Sequence, residues 1–289
     1  MQIGCHGSVW TRTFDTAGLE LAISQTRQAG FDLIEIPLMD PDDIDGPAVR
    51  KLLQRHELAA TASLGLGAGN DLSSEDAEVS AAGERLLGTC LEVLSDLGAT
   101  DLVGVIYCAM RKYSQPASVL NRSRSTEAIG RLAERGRQLG VRLGIEVVNR
   151  YESNLVNTSR QGVEYVEQVG DDQVYVHLDT YHMNIEEPDM FTPVLTAGPK
   201  LGYVHIGESH RGYLGSGTVD FDSFFRALAH IGYDGPIVFE SFSSAVVHKD
   251  FSTMLGIWRN LWSDGLDLGR HANNFIRGQL KSVASIGMH

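Results

Sequence analysis

Cysteine is scarce in this chain: Cys5, Cys90 and Cys108 stand far apart, and no CxxC pair occurs. An odd, widely spaced set excludes a disulfide framework and a thiolate zinc motif, and fits a reducing compartment. Basic residues are in deficit. Lys and Arg total 24 against 37 Asp and Glu, for a net charge of −13. A field of that sign repels phosphate backbones and anionic lipid, so neither nucleic acid nor a membrane is an expected partner. No stretch approaches the roughly 18 apolar residues of a membrane span. Met1-Gln2-Ile3-Gly4 leads straight into a strand-like segment with no basic and apolar leader. The expected location is the cytoplasm, where the sequons at Asn121 and Asn157 carry no meaning. A dinucleotide fingerprint is also missing. The segment 65-GLGAG reads G-x-G-x-G, follows the third apolar run rather than the first, and reads as a glycine-rich loop after a strand.

What is present is a regular beat. The 289 residues are 43% hydrophobic and 21% charged, an ordinary globular composition. Short apolar runs at 2–8, 32–37, 58–64, 101–107, 141–146, 174–179, 201–206 and 236–240 read as strands. Amphipathic segments at 15–30, 47–56, 75–97, 118–139, 158–169, 189–198, 220–231 and 249–262 read as helices. Thr158 and Asp220 are candidate N-caps, Ser73 and Ser74 precede the third helix, and Glu75 suits its first turn. Gly30, Gly98, Gly140, Gly170 and Gly232 stand where helices stop. Strand–helix alternation predicts a parallel sheet, and eight such units predict the α/β class with a single (β/α)8 TIM barrel. No linker divides 1–289, so one domain is expected, with a C-terminal helical tail from about 265 packed on the barrel or on a neighbouring subunit.

Four polar residues each close one apolar run: Glu146 in VRLGIE, Asp179 in VYVHLD, His205 in LGYVH and Glu240 in IVFE. They recur at about the length of one βα unit, on the order of 30 residues. Charged side chains suit strand interiors poorly and are rarely buried unpaired. A divalent cation at the C-terminal mouth of the barrel accounts for all four together. Three carboxylates and one imidazole suit Mn²⁺, Mg²⁺ or Co²⁺ and leave room for two further ligands. The carbonyl and adjacent hydroxyl of an α-hydroxyketone could fill those positions, and the cation would then make the neighbouring C–H acidic. Singly, each residue has a plainer explanation: Asp179 as a helix N-cap, His205 as a satisfied core residue, Glu146 or Glu240 paired with Arg or Lys. Glu152, His182 and Arg211 fall in the loops after three of these runs, on the substrate face of such a barrel. Their alternative is solvated loop charge.

The segments 145-IEVVNRYESNLVNT, 178-LDTYHMNIEE, 203-YVHIGE and 72-LSSEDAEVSAAG resemble the ketose 3-epimerases. That family comprises the D-tagatose, D-psicose (allulose) and L-ribulose 3-epimerases, within the xylose-isomerase-like barrels. The resemblance covers nearly the whole chain. It implies that Glu146, Asp179, His205 and Glu240 bind one divalent metal per subunit, Mn²⁺ first and Co²⁺ or Mg²⁺ as alternatives. It implies that Glu146 and Glu240 exchange the C3 proton through a cis-enediolate. Glu152, His182 and Arg211 would then contact a small-molecule ketose, and the protein would be a homodimer or homotetramer. The chain departs from the family's commonest pattern in three places, of which the first two bear on sugar preference. His6 stands where many members carry an aromatic, and with the loop 107-YCAMRKY, which lacks a tryptophan, it would line the pocket end that holds C4 to C6. Glu240 is followed by Ser241 rather than proline.

Rivals remain on the same barrel. An aldose–ketose or hydroxypyruvate-type isomerase would shift the proton between C1 and C2. An abasic-site endonuclease needs more histidines and a basic face. A sugar-binding protein needs no acid/base pair.

Overall fold

The computed structural model describes residues 1–286. Strands β1 (Ile3–His6), β2 (Leu33–Pro37), β3 (Ala59–Ser63), β4 (Asp101–Val103), β5 (Arg142–Val147), β6 (Val174–Asp179), β7 (Leu201–Ile206) and β8 (Ile237–Phe239) pair in sequence order. Every pairing is parallel, and β8 closes on β1 with Ile3 opposite Ile237. This is the single (β/α)8 TIM barrel expected from the alternation.

Helices α1 (Thr16–Gln28), α2 (Gly46–His56), α3 (Ala77–Leu97), α4 (Val119–Leu139) and α5 (Ser159–Val169) connect the first six strands. After β6 come α6 (Thr180–Glu186), α7 (Thr192–Ala197), α8 (Phe221–His230), α9 (Lys249–Met254) and α10 (Gly265–Ile286). Thr158 and Asp220 accept the amide hydrogens of Gln161 and Ser223 as caps. The third helix starts later than expected: Asp76, not a serine, is its cap, while Ser73 is turned onto the Asp71 carboxylate. Gly98, Gly140 and Gly170 are left-handed C-caps, where a side chain would be strained. α10 packs on α8, α1, β1 and β8. Among the described residues no helix is long and apolar enough to cross a membrane.

Three expected spans are shortened or broken. The fourth strand ends at Val103 rather than 107, because Gly104 takes φ +111° and turns the chain. The helix expected over 249–262 stops at Met254; Gly256 follows at φ +67°, and Ser243 and Ser244 hold Asn260 and the Trp262 carbonyl in a loop. α7 covers only the middle of 189–198.

Two cores result. The larger lies between strands and helices. The smaller fills the barrel with Leu33, Val103, Tyr175, Tyr203 and Val238, mostly from even-numbered strands, as layered barrel packing requires. Gly144 makes room for the Tyr175 ring: a Cβ there would lie 2.8 Å from both Tyr175 and Val103. Side chains alternate along a strand with period two. One step above the apolar layer, the inward positions are therefore Glu35, Glu146, His177, His205 and Glu240, and Asp179 lies one step higher on β6.

Candidate active site

The four strand-end residues converge, although Glu240 lies one residue beyond β8, its amide bonded to the Ile206 carbonyl at 3.0 Å. All four are at least nine-tenths buried. His205 Nδ1 lies 3.6 Å from Glu146 Oε1 and 3.6 Å from Glu240 Oε1. The two carboxyl oxygens are thus no further apart than twice that distance. For Asp179, His205 and Glu240 the plainer explanation also holds, on one side of the residue only; Glu146 has no Arg or Lys partner among the described residues. Asp179 Oδ1 caps α6 by accepting from the Tyr181 amide at 2.7 Å, while Oδ2 has no hydrogen bond. His205 Nε2 is bonded to Glu35 at 2.7 Å, while Nδ1 has no hydrogen bond. Glu240 pairs with Arg211 at 2.7 Å through Oε2, leaving Oε1 toward His205.

Arg211 sits at φ +61° on the loop after β7 and spreads its guanidinium 4.0 Å over the Tyr181 ring. Its Nη2 is 3.1 Å from Asp179 Oδ2, at ion-pair distance but without hydrogen-bond alignment. The loop is folded around Glu208, which is fully buried and accepts from the amides of Ser209, Gly215 and Val219 at 2.8, 2.9 and 3.3 Å. Ser241 donates its hydroxyl to the Arg211 carbonyl, a bond that proline at this position could not make.

His182 belongs to a helix, not a loop. The polar string 180-TYHMNIEE hides α6, whose first turn brings the ring to Glu146 and Asp179 at 3.6 Å each and to Glu152 at 4.0 Å. The Asn149 backbone amide donates to Nδ1 at 3.2 Å, so the ring proton is on Nε2, facing the carboxylates. Asn149 also donates to Glu152 at 2.8 Å. His6 accepts the Ser8 amide on Nδ1 and meets Ser63 Oγ with Nε2 at 3.3 Å. Both His6 and Ser63 line the same cavity, whose outer wall is apolar: Leu64, Met110, Phe242, Phe251 and Ile257.

Burial dominates the acid–base properties. It pushes Glu146 up to about 8, with Glu240 and Asp179 adding to the rise against the pull of His205. Burial also raises Glu152 and depresses His6 and His182, the last to about 3. Glu240 goes the other way: burial alone would raise it, but Arg211, His205 and His6 outweigh burial and hold it low. Burial opposes charging of His205 too, yet Glu35 and Glu240 raise it well above an ordinary histidine.

Three neighbours escaped the sequence reasoning: Glu35, Asn149 and His177. Glu35 had a signal, a carboxylate in the middle of the apolar run LIEIP. His177 follows from period two along VYVHLD, between the inward Tyr175 and Asp179. Asn149 acts through a tautomer, which no spacing reveals.

A cation fits this site. Subsets of these residues present oxygen and nitrogen atoms within 4.8 Å of one another: Asp179, His205 and Glu240 in one, Glu146, Asp179 and His182 in another. Two of the orphaned buried atoms, Asp179 Oδ2 and His205 Nδ1, are ligand atoms facing that space. Three clustered carboxylates against one guanidinium leave negative charge that burial penalises, and a divalent ion of the hard, oxygen-preferring class offsets it.

The chain is similar to known proteins in sequence and in fold. The family model of the xylose isomerase-like TIM barrel matches residues 23–270. A ketose 3-epimerase of Arthrobacter globiformis is 56% identical over 289 residues, all of both chains. An L-ribulose 3-epimerase of Methylomonas sp. strain DH-1 is 50% identical, across 96% of this chain and 97% of that one. The crystal structure of a D-allulose 3-epimerase from Methylomonas sp., in complex with D-allulose, superposes with a TM-score of 0.95 at 49% identity, over 96% of this chain and 97% of that one. By sequence and by fold, the chain is an isomerase belonging to the ketose 3-epimerase family of xylose isomerase-like TIM barrels.

Proposed function

We propose that this enzyme inverts C3 of free ketopentoses and ketohexoses, interconverting L-ribulose with L-xylulose, D-psicose (D-allulose) with D-fructose and D-tagatose with D-sorbose. The observation that carries this is the pair Glu146 and Glu240, one on β5 and one past β8, both 3.6 Å from a single nitrogen of His205. Inversion needs a proton taken from one face of C3 and returned to the other, and two carboxyls flanking one point supply both. Which of them starts depends on the configuration at C3. Their environments push them to opposite protonation preferences, as an acid/base pair requires.

Glu146, Asp179, His205 and Glu240 would hold the divalent cation, Mn²⁺ first. When bound, it would supply Lewis-acid stabilisation of the negative charge that develops on O2 as C3 loses its proton. The chain's own residues do the rest. His182, its Nε2 proton fixed by Asn149, donates toward O1 or O2. Glu152 accepts from a sugar hydroxyl, and Arg211, stacked on Tyr181, orients the sugar across the two bases. His6 and Ser63 offer a small polar patch in an otherwise apolar wall, which suits sugar chains of either length. Among the described residues Arg211 is the one Lys or Arg lining the cavity and is already engaged by Asp179 and Glu240, so a sugar phosphate would find no free cation among them.

The test is a panel of ketopentoses and ketohexoses given to metal-reconstituted protein in deuterium oxide. A new ketose carrying deuterium at C3 is the expected product. An aldose labelled at C2 would overturn the assignment in favour of an isomerase, and absence of any exchange would leave only sugar binding.

A further inference from the structure

Glu35 is fully enclosed in the barrel interior: it is 0% exposed, on β2, three strands around the barrel from β7, which carries His205. Its Oε2 takes two hydrogen bonds, from His205 Nε2 at 2.7 Å and from the Tyr203 hydroxyl at 2.8 Å. Tyr203 is in turn 2.7 Å from Thr61 Oγ. Its Oε1 has no hydrogen bond and lies 3.6 Å from His6 Nε2. A carboxylate in such a place is expensive in free energy, and an apolar residue would pack there without that cost.

The geometry points to Glu35 as a positioning residue that fixes the tautomer and the ring plane of His205, so that the Nδ1 lone pair faces Glu146 and Glu240. This rests on the cation site proposed above. An imidazole ligates only through a bare nitrogen, so its single proton has to sit on the other one. Glu35 Oε2 is the sole hydrogen-bond partner of His205 Nε2 among the described residues. His177 packs against the ring edge-on, at a centroid distance of 4.2 Å and an angle of 88°, which blocks rotation but makes no hydrogen bond. Ring orientation thus has a steric wall and one electrostatic anchor. Outer partners of metal-bound histidines typically change metal affinity by about 10–100-fold when removed.

The experiment compares Glu35→Gln with Glu35→Met. Because both donors converge on one oxygen, glutamine retains both hydrogen bonds through its carbonyl and loses only the charge. Methionine keeps the volume and loses the acceptor. Mn²⁺ dissociation constants are read by electron paramagnetic resonance, the ligand field by the visible absorption of the Co²⁺-loaded proteins, and folding by thermal melts. Glu35→Met is expected to weaken Mn²⁺ binding by about 10–100-fold and to change the Co²⁺ spectrum. Glu35→Gln is expected to keep the wild-type spectrum with a smaller loss of affinity. If Glu35→Met does not fold, the pair is repeated on Tyr203→Phe, which removes the phenol that methionine would leave unpaired. A lower Tm with unchanged affinity and an unchanged Co²⁺ spectrum means that Glu35 is merely structural, and overturns the proposal. Wild-type protein that binds no stoichiometric cation overturns the cation site itself, and this inference with it.

Discussion

Replacing Glu208 by glutamine tests how Arg211, proposed above to orient the sugar, is held. The carboxylate takes the Ser209 and Val219 amides on Oε1 and the Gly215 amide on Oε2, all without solvent. A glutamine can match only one of these oxygens. The cheaper orientation keeps the carbonyl toward Ser209 and Val219 and turns the NH2 onto the Gly215 N–H. One buried donor is then orphaned, at about 1–3 kcal/mol, and two charge-assisted bonds become neutral ones, for a total on the order of 3 kcal/mol. The loop lies outside the barrel, so the loss is expected locally rather than in the global melt. Arg211 adds to it, because its φ of +61° is a conformation that costs an ordinary residue about 1–2 kcal/mol unless the loop enforces it. Amide exchange of residues 209–219 should accelerate by roughly a hundredfold, since about 1.4 kcal/mol corresponds to each factor of ten. The kcat/KM for a ketose should fall at least about tenfold as the guanidinium leaves Tyr181 and Glu240. The measurements are hydrogen exchange by mass spectrometry and steady-state kinetics on the same preparation. Unchanged protection across the loop, or a loosened loop with full kcat/KM, would refute the chain of cause from Glu208 to Arg211.

Glu146→Gln and Glu240→Gln should each reduce turnover by at least about 100-fold, the usual contribution of a positioned acid or base; near-normal interconversion in either variant removes the two-base scheme. Mn²⁺ affinity should fall as pH drops below about 8, because burial keeps Glu146 protonated there and the cation binds the carboxylate. Each displaced proton contributes roughly tenfold per pH unit, so a flat dissociation constant between about pH 8 and 6 by calorimetry contradicts it. Gly104→Ala should cost about 2–4 kcal/mol in urea unfolding, since its φ is +111° and the new Cβ would stand 2.5 Å from the Leu64 carbonyl; a loss under about 1 kcal/mol would mean that the turn after β4 adapts freely.

Much of the barrel was legible because its two signals are local. Apolar runs ending at a polar residue mark strand tips, and glycine marks helix stops. Glu146, Asp179, His205 and Glu240 could therefore be found as a set. Features depending on distant partners were not legible. The break after Met254 comes from Asn260 being held by Ser243 and Ser244, which sit beyond β8. The α6 helix looked like a loop because its apolar face is short and its cap, Asp179, was already counted as a strand end. Glu35 stood in plain view as a charge within a strand, but its partner is 170 residues away. Which nitrogen of His182 carries its proton depends on Asn149, a contact made only once β5 and β6 have paired.

The four groups facing the proposed ion all come from the second half of the ring, while His6, Ser63, Leu64 and Met110, from the first half, share the far wall of the cavity with Phe242, Phe251 and Ile257 from the second. The proposed reacting groups are thus confined to one half, whereas the wall draws on both. Libraries confined to the tips of the first four units could retune sugar choice while leaving the reactive half untouched, and recombining halves between relatives becomes a practical route to new rare-sugar catalysts.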